Sequence, residues 1–177
     1  MAAINWERWA RGAGVAFVVL TVAAFILGGE PPQVGDPAAD VVAYYEEERG
    51  QILVASLLFA AALGFWIWFA GALANILRGL GEGRVGATII AAVSVFAAVQ
   101  LVSTALNAML AHSIARDADE GVVQGLFDVT WGLDLVAAIP GAVFFVAASL
   151  GLGRTHLVPP WLGRAGLFVA EIGRAHV

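Results

Sequence analysis

Residues 85–115, VGATIIAAVSVFAAVQLVSTALNAMLAHSIA, contain no Asp, Glu, Lys or Arg. Crossing the hydrocarbon core of a bilayer takes about 20 apolar residues as a helix, because lipid offers no partner to an unpaired backbone group. This stretch is long enough, and three others resemble it. Gly12–Gly29 and Gln51–Leu77 are also free of charge, and Gly121–Gly153 holds only Asp128 and Asp134. The expected fold class is all-α: a transmembrane helical bundle with four complete antiparallel spans and the start of a fifth. The spans are placed at about 12–29, 52–77, 86–114 and 126–152, in a single integral membrane domain over 1–170.

Composition agrees. Hydrophobic residues make up 60% of 177, charged residues 13%, and the mean hydropathy is +0.85. A soluble domain is typically about a quarter charged. The net charge of −5 offers no basic footprint for nucleic acid. The absence of cysteine removes disulfides, thiolate catalysis and Cys-ligated zinc.

The nine basic residues are all arginine, and they give an orientation. Arg8, Arg11, Arg78, Arg84, Arg154 and Arg164 fall in alternate inter-span segments, whereas the segments between them hold only Arg49 and Arg116 beside nine acids. Arginine-rich short loops stay cytoplasmic. The N-terminus is therefore expected inside, with Trp6 and Trp9 at headgroup level, in a bacterial plasma membrane. Leu27 occupies the place where signal cleavage would want a small residue, so the first helix is expected to be retained.

In the first outer loop, Asp36-Pro37 has the composition of a helix start, an acceptor at the cap followed by a ring without an N–H. Residues 37–49 then read as a short amphipathic surface helix ended by Gly50, with Tyr44 and Tyr45 towards the headgroups. Glu46, Glu47 and Glu48 form a solvated face, since three adjacent side chains on a helix do not converge on one cation.

The last seven residues, Glu171-Ile172-Gly173-Arg174-Ala175-His176-Val177, translate GAG ATC GGA AGA GCA CAC GTC, which reads through a common sequencing adapter. We expect 171–177 to be adapter read-through in a metagenomic fragment, to be set aside in fold reasoning. Pro159-Pro160-Trp161-Leu162-Gly163-Arg164 then leads into the start of a fifth span at 161–170.

Two loop patterns carry a resemblance. Glu30-Pro31-Pro32, Ala38-Ala39-Asp40-Val41-Val42-Ala43-Tyr44-Tyr45 and Arg49-Gly50-Gln51-Ile52, with Pro159-Pro160-Trp161-Leu162-Gly163 further on, resemble small multispanning integral membrane proteins of actinobacteria, a group of unknown function. The resemblance implies further helices beyond residue 170 and supplies no functional residues.

The polar residues inside the spans are the candidates for chemistry. Gln100, Ser103, Thr104 and Asn107 fall within about a 100° arc of one helix. Asp134 is flanked by Thr130, Ala137, Ala138 and Gly141 at −4, +3, +4 and +7, small residues that let another helix come close. Counting about 13 Å inward from the short loop between these spans reaches Ser103 on one and Asp134 on the other. The expected cluster is therefore Asp134 with Gln100, Ser103, Thr104 and Asn107. Hydroxyl and amide side chains in spans usually act as helix–helix glue. An intramembrane carboxylate costs several kcal/mol and points to a proton, ion or substrate path. With no Lys or Arg in the spans, the acid is expected in its neutral form. Asp128 lies nearer the interface, within reach of water, and Pro140 is expected to kink the fourth span.

No Ser–His pair, zinc motif or P-loop is present, and Asp128 and Asp134 diverge on one helix where an aspartyl protease needs two facing acids. His112 with Asp117, Asp119 and Glu120 is a weak ligand set and reads as an interfacial histidine. The sequence thus points to a non-enzymatic membrane component without cofactor or metal, accessory or structural in role. Its partner is the lipid bilayer, with room for a homo-oligomer or other membrane proteins and none for nucleic acid. The alternative is a small transporter or proton- or ion-coupled protein that uses Asp134 and the polar stripe.

Overall fold

The computed structural model describes residues 6–155, with side chains from residue 12. The fifth-span start at 161–170 and the segment 171–177 lie outside the described residues. Among those residues the secondary structure is helical, with no strand. Helix α1 runs Trp6–Gly28, α2 Ala38–Glu47, α3 Arg49–Gly79 and α4 Gly83–Met109. A π-helical turn, Leu110–Ile114, and a short α5, Ala115–Asp117, prolong α4, and α6 runs Glu120–Thr155. Three of these runs, Arg49–Gly79, Gly83–Asp117 and Glu120–Thr155, are long and apolar enough to cross a membrane. The apolar part of α1, Gly12–Gly28, is shorter.

The helix ends follow from local chemistry. Gly81 takes φ +88° after α3, so the Glu82 N–H reaches the Leu77 carbonyl at 2.9 Å and the Gly81 N–H reaches Arg78 at 3.2 Å. Those two bonds make a Schellman ending, which needs a left-handed residue at this position. Gly29, at φ +67°, follows the end of α1 in the same way. Two boundaries differ from the sequence reading. Pro37, not Asp36, caps α2, and the Asp36 carboxylate instead accepts the Gln33 N–H at 2.7 Å to close a turn. Gly50 lies inside α3, and the break between α2 and α3 is at Glu48, φ −95° and ψ 13°. Within α6 the helix continues through Pro140.

The described residues divide into two compact units. One comprises 6–14, 66–97 and 136–155. Its centre is Trp66, with the rings of Phe96 and Phe144 edge-on at 4.6 and 5.1 Å. Glycine makes the close approaches in this unit. A Cβ on Gly86 would stand 2.8 Å from the Ala74 carbonyl oxygen, and one on Gly151 equally close to Leu77. In lipid, helices gain little from hiding apolar surface from one another, so intimate backbone packing at small residues has to supply the attraction. An exposed pair, Arg154 with Glu82 at 3.3 Å, sits at the polar end of this unit. Exposed pairs contribute at most about 1 kcal/mol.

The second unit comprises 15–65 and 98–135. Its core is Val41, Tyr45, Ile52, Leu110, Ala111, Ala115, Val123 and Phe127. Helix α2 packs on the π turn and on α5. The sequence reading expected Tyr44 and Tyr45 towards the headgroups; in the structure Tyr45 faces protein. Tyr45 is 1% exposed, and Tyr44 donates its hydroxyl hydrogen to the Gly28 carbonyl at 2.8 Å. That bond satisfies one of the carbonyls a helix C-terminus leaves open.

Candidate functional site

The polar stripe on α4 and the acid on α6 meet inside the second unit. Helical spacing puts Gln100, Ser103, Thr104 and Asn107 on one side of α4, and the Ser103 and Gln100 side chains lie within reach of the Asp134 carboxyl. Ser103 is 2% exposed, and its hydroxyl also lies 3.5 Å from the Thr130 carbonyl one turn before Asp134 on α6. All five residues of the expected cluster line one cavity of about 430 Å³. Asp134 is itself exposed. Asp128 stands apart, exposed, with the Gln124 amide on its carboxylate at 3.3 Å.

Hydrogen bonds hold the wall in place. Thr104 donates to the Gln100 carbonyl at 2.7 Å, Thr130 to Phe127 at 2.7 Å, and the Asn107 amide to Ser103 at 3.2 Å. The first two are back-bonds by which a hydroxyl in a helix shares a carbonyl of the preceding turn. The Asn107 carbonyl oxygen accepts the Tyr45 hydroxyl at 2.6 Å, tying α2 to the stripe. Burial, then Tyr44, then Asp134 push the Tyr45 phenol well above its usual range. Burial and the nearby Glu48 raise Tyr44 as well. Both phenols therefore stay protonated and able to donate at neutral pH.

Helices α1 and α3 close the cavity with residues that the sequence reading did not single out. Ala24, Phe25 and Gly28 come from α1, and Ile52, Ala55, Ser56 and Phe59 from α3. Phe25 and Phe59 meet edge-on at 6.1 Å, and Phe127 and Trp131 at 6.5 Å on the α6 side. Aromatics recurring on helices pass in a sequence for ordinary lipid-facing or core residues, so no local signal marked them.

His112 falls in the π turn and is exposed. Among the described residues no group of three or more His, Asp or Glu is placed to hold a metal ion. No known protein family, curated protein or solved structure matches the chain.

Proposed function

We propose that this chain is a non-catalytic multispanning membrane protein whose Asp134 cavity is the working site of a small transporter or proton- or ion-coupled protein. The observation that carries this reading is that Asp134 is exposed and lines a cavity of about 430 Å³. A carboxylate serving only as glue would be enclosed by its partners. Open to a cavity, the same group can exchange a proton or receive a cation, the usual reason for bearing the cost of an acid at membrane depth. The accessory or structural reading draws on a different observation, that Ser103, Thr104 and Asn107 of the α4 stripe are bonded to backbone carbonyls.

One experiment separates the two. The chain, reconstituted in liposomes containing a pH dye, is subjected to a potassium diffusion potential. We expect proton flux that Asp134→Asn lowers at least tenfold while the unfolding temperature stays within about 3 °C, a shift of about 1 kcal/mol for a chain of this size. No flux from the native chain, with Asp134→Asn altering only stability, would establish the structural reading instead.

The setting proposed for this site is a bacterial plasma membrane, crossed four times with α1 as the fourth span and the N-terminus inside. The six-to-two arginine asymmetry supports that orientation. The loop patterns support an actinobacteria-like origin. With no native cysteine, single-cysteine labelling reads the topology directly. In intact cells an impermeant maleimide should label Val34→Cys and leave Leu80→Cys unreacted, and the reverse pattern would invert the orientation.

A further inference from the structure

We propose that the Asp134 cavity binds a monovalent organic cation, an ammonium head on an apolar body of roughly phenylalkyl size. The proposal rests on the reading of this cavity as a working site and names the chemical class of its ligand.

Charge comes first. Among the described residues lining the cavity, Asp134 is the one carboxylic acid, and no Arg, Lys or His stands beside it. An anion would find no countercharge there and would face a carboxylate.

Hydrogen-bonding capacity narrows the class further. A hydroxyl has a single hydrogen to give and two lone pairs to offer. Thr104, Thr130 and Tyr44 have already given theirs to the carbonyls of Gln100, Phe127 and Gly28. The Ser103 hydrogen is committed between Thr130 and Asp134. What these groups still offer is lone pairs. The donors left over are the Ser56 hydroxyl, the Trp131 indole N–H and amide hydrogens of Gln100 and Asn107, and each of those two amides already has a partner. A wall richer in acceptors than in donors favours a ligand that brings its own N–H groups.

The remaining surface fixes the body of the ligand. The rings of Phe25, Phe59, Phe127 and Trp131 line the same space, and aromatic faces attract a cation within about 6 Å. A volume of about 430 Å³ lies in the range of small-molecule sites, roughly 300–1,000 Å³. A bare divalent ion wants six or more oxygens in its first shell and would leave this aromatic wall unused.

The test uses the full chain in dodecyl maltoside, with empty micelles as the blank, and equilibrium dialysis against three probes of one shape. These are 4-phenylbutylammonium, the neutral 4-phenylbutanol and the anionic 4-phenylbutanoate. We expect the ammonium to bind at least tenfold more tightly than the alcohol and the carboxylate more weakly than either. Asp134→Asn should erase the preference between ammonium and alcohol, and Asp134→Glu should keep it, which guards against a variant that merely misfolds. Phe59→Ala should weaken both probes together. Ammonium and alcohol bound within twofold of each other by the native chain would overturn the proposal, as would an undiminished preference in Asp134→Asn. Absence of that preference alongside Asp134-dependent proton flux would overturn the ligand class alone and leave the coupled-site reading standing. A preference that Asp134→Asn abolishes, in a chain without proton flux, would uphold the ligand class and remove the coupling.

Discussion

Tyr45→Ala should destabilise the protein by about 3–5 kcal/mol, the range for deleting a fully buried aromatic ring. Tyr45 is 1% exposed, lies edge-on to Tyr44 at 5.2 Å and to Phe127 at 6.4 Å, and gives its hydroxyl hydrogen to Asn107. Helix α2 has only ten residues, too few to hold its shape unaided in water. Its order depends on this docking. Tyr45→Phe keeps the ring and should cost only about 1 kcal/mol, the net worth of an ordinary hydrogen bond. Chemical unfolding in mild detergent, followed by circular dichroism, would measure both. A loss below 1 kcal/mol for the alanine variant would mean that α2 is not docked as described.

The same phenol imposes an alkaline limit. Burial, Tyr44 and Asp134 hold its folded-state pKa above the ordinary 10.0. A group raised in the folded state contributes stability that is fully present below its unfolded pKa, near 10, and is lost as pH rises through the folded value. Native stability should therefore fall from about pH 10 upward, and Tyr45→Phe should fall less steeply across that range. Tyr44, raised in the same direction, accounts for part of what remains.

Gly86→Val is the second large effect, in the other unit. The Cβ would meet the Ala74 carbonyl oxygen at 2.8 Å and its Cα at 3.3 Å. Both are backbone atoms and cannot rotate aside, so α3 and α4 must separate along their contact. Overpacking typically costs about 1–3 kcal/mol, and the upper end is expected where no side chain can yield. Gly86→Ala should already be destabilising. Gly71→Ala is the control, because its Cβ meets nothing within 4 Å, and removing an interior helical glycine tends to gain about 0.5–1 kcal/mol. If the two alanine variants unfolded alike, the close approach at Gly86 would be of no energetic consequence.

The parts of the molecule that sequence could reveal are those with a helical period or a charge gap. The stretches free or nearly free of charge correspond to the apolar part of α1, to α3, to α4 with its extension and to α6, long apolar helices of the kind that lipid admits. The 100° step placed Gln100, Ser103, Thr104 and Asn107 on one face, and depth counting brought Asp134 to Ser103, since adjacent antiparallel spans fix relative height. Tyr45 was misplaced for a physical reason. A ring with a polar tip suits a headgroup layer and a protein core equally, and the choice turned on an acceptor, Asn107, more than sixty residues away. The α2–α3 break moved from Gly50 to Glu48 because a non-glycine residue can hold φ −95°, ψ 13° without strain. The cavity itself left no trace in the sequence. A void is a property of four walls, and Phe25, Phe59 and Trp131 look locally like any lipid-facing aromatic.

The π turn at Leu110–Ile114 makes the chain unequally tolerant of losing a residue. An i→i+5 turn holds one residue more than the α turns on either side of it. A single codon deleted within 110–114 leaves enough chain to close an ordinary α turn, so the faces before and after it keep their phase. The same deletion placed between Gly86 and Ser103 would turn everything beyond it by about 100°. Gln100, Ser103, Thr104 and Asn107 would then swing away from Asp134, or the helix before them would. Length variation in this helix is thus cheap at one turn and ruinous over the rest, and a lineage that changes its length has one place to do so.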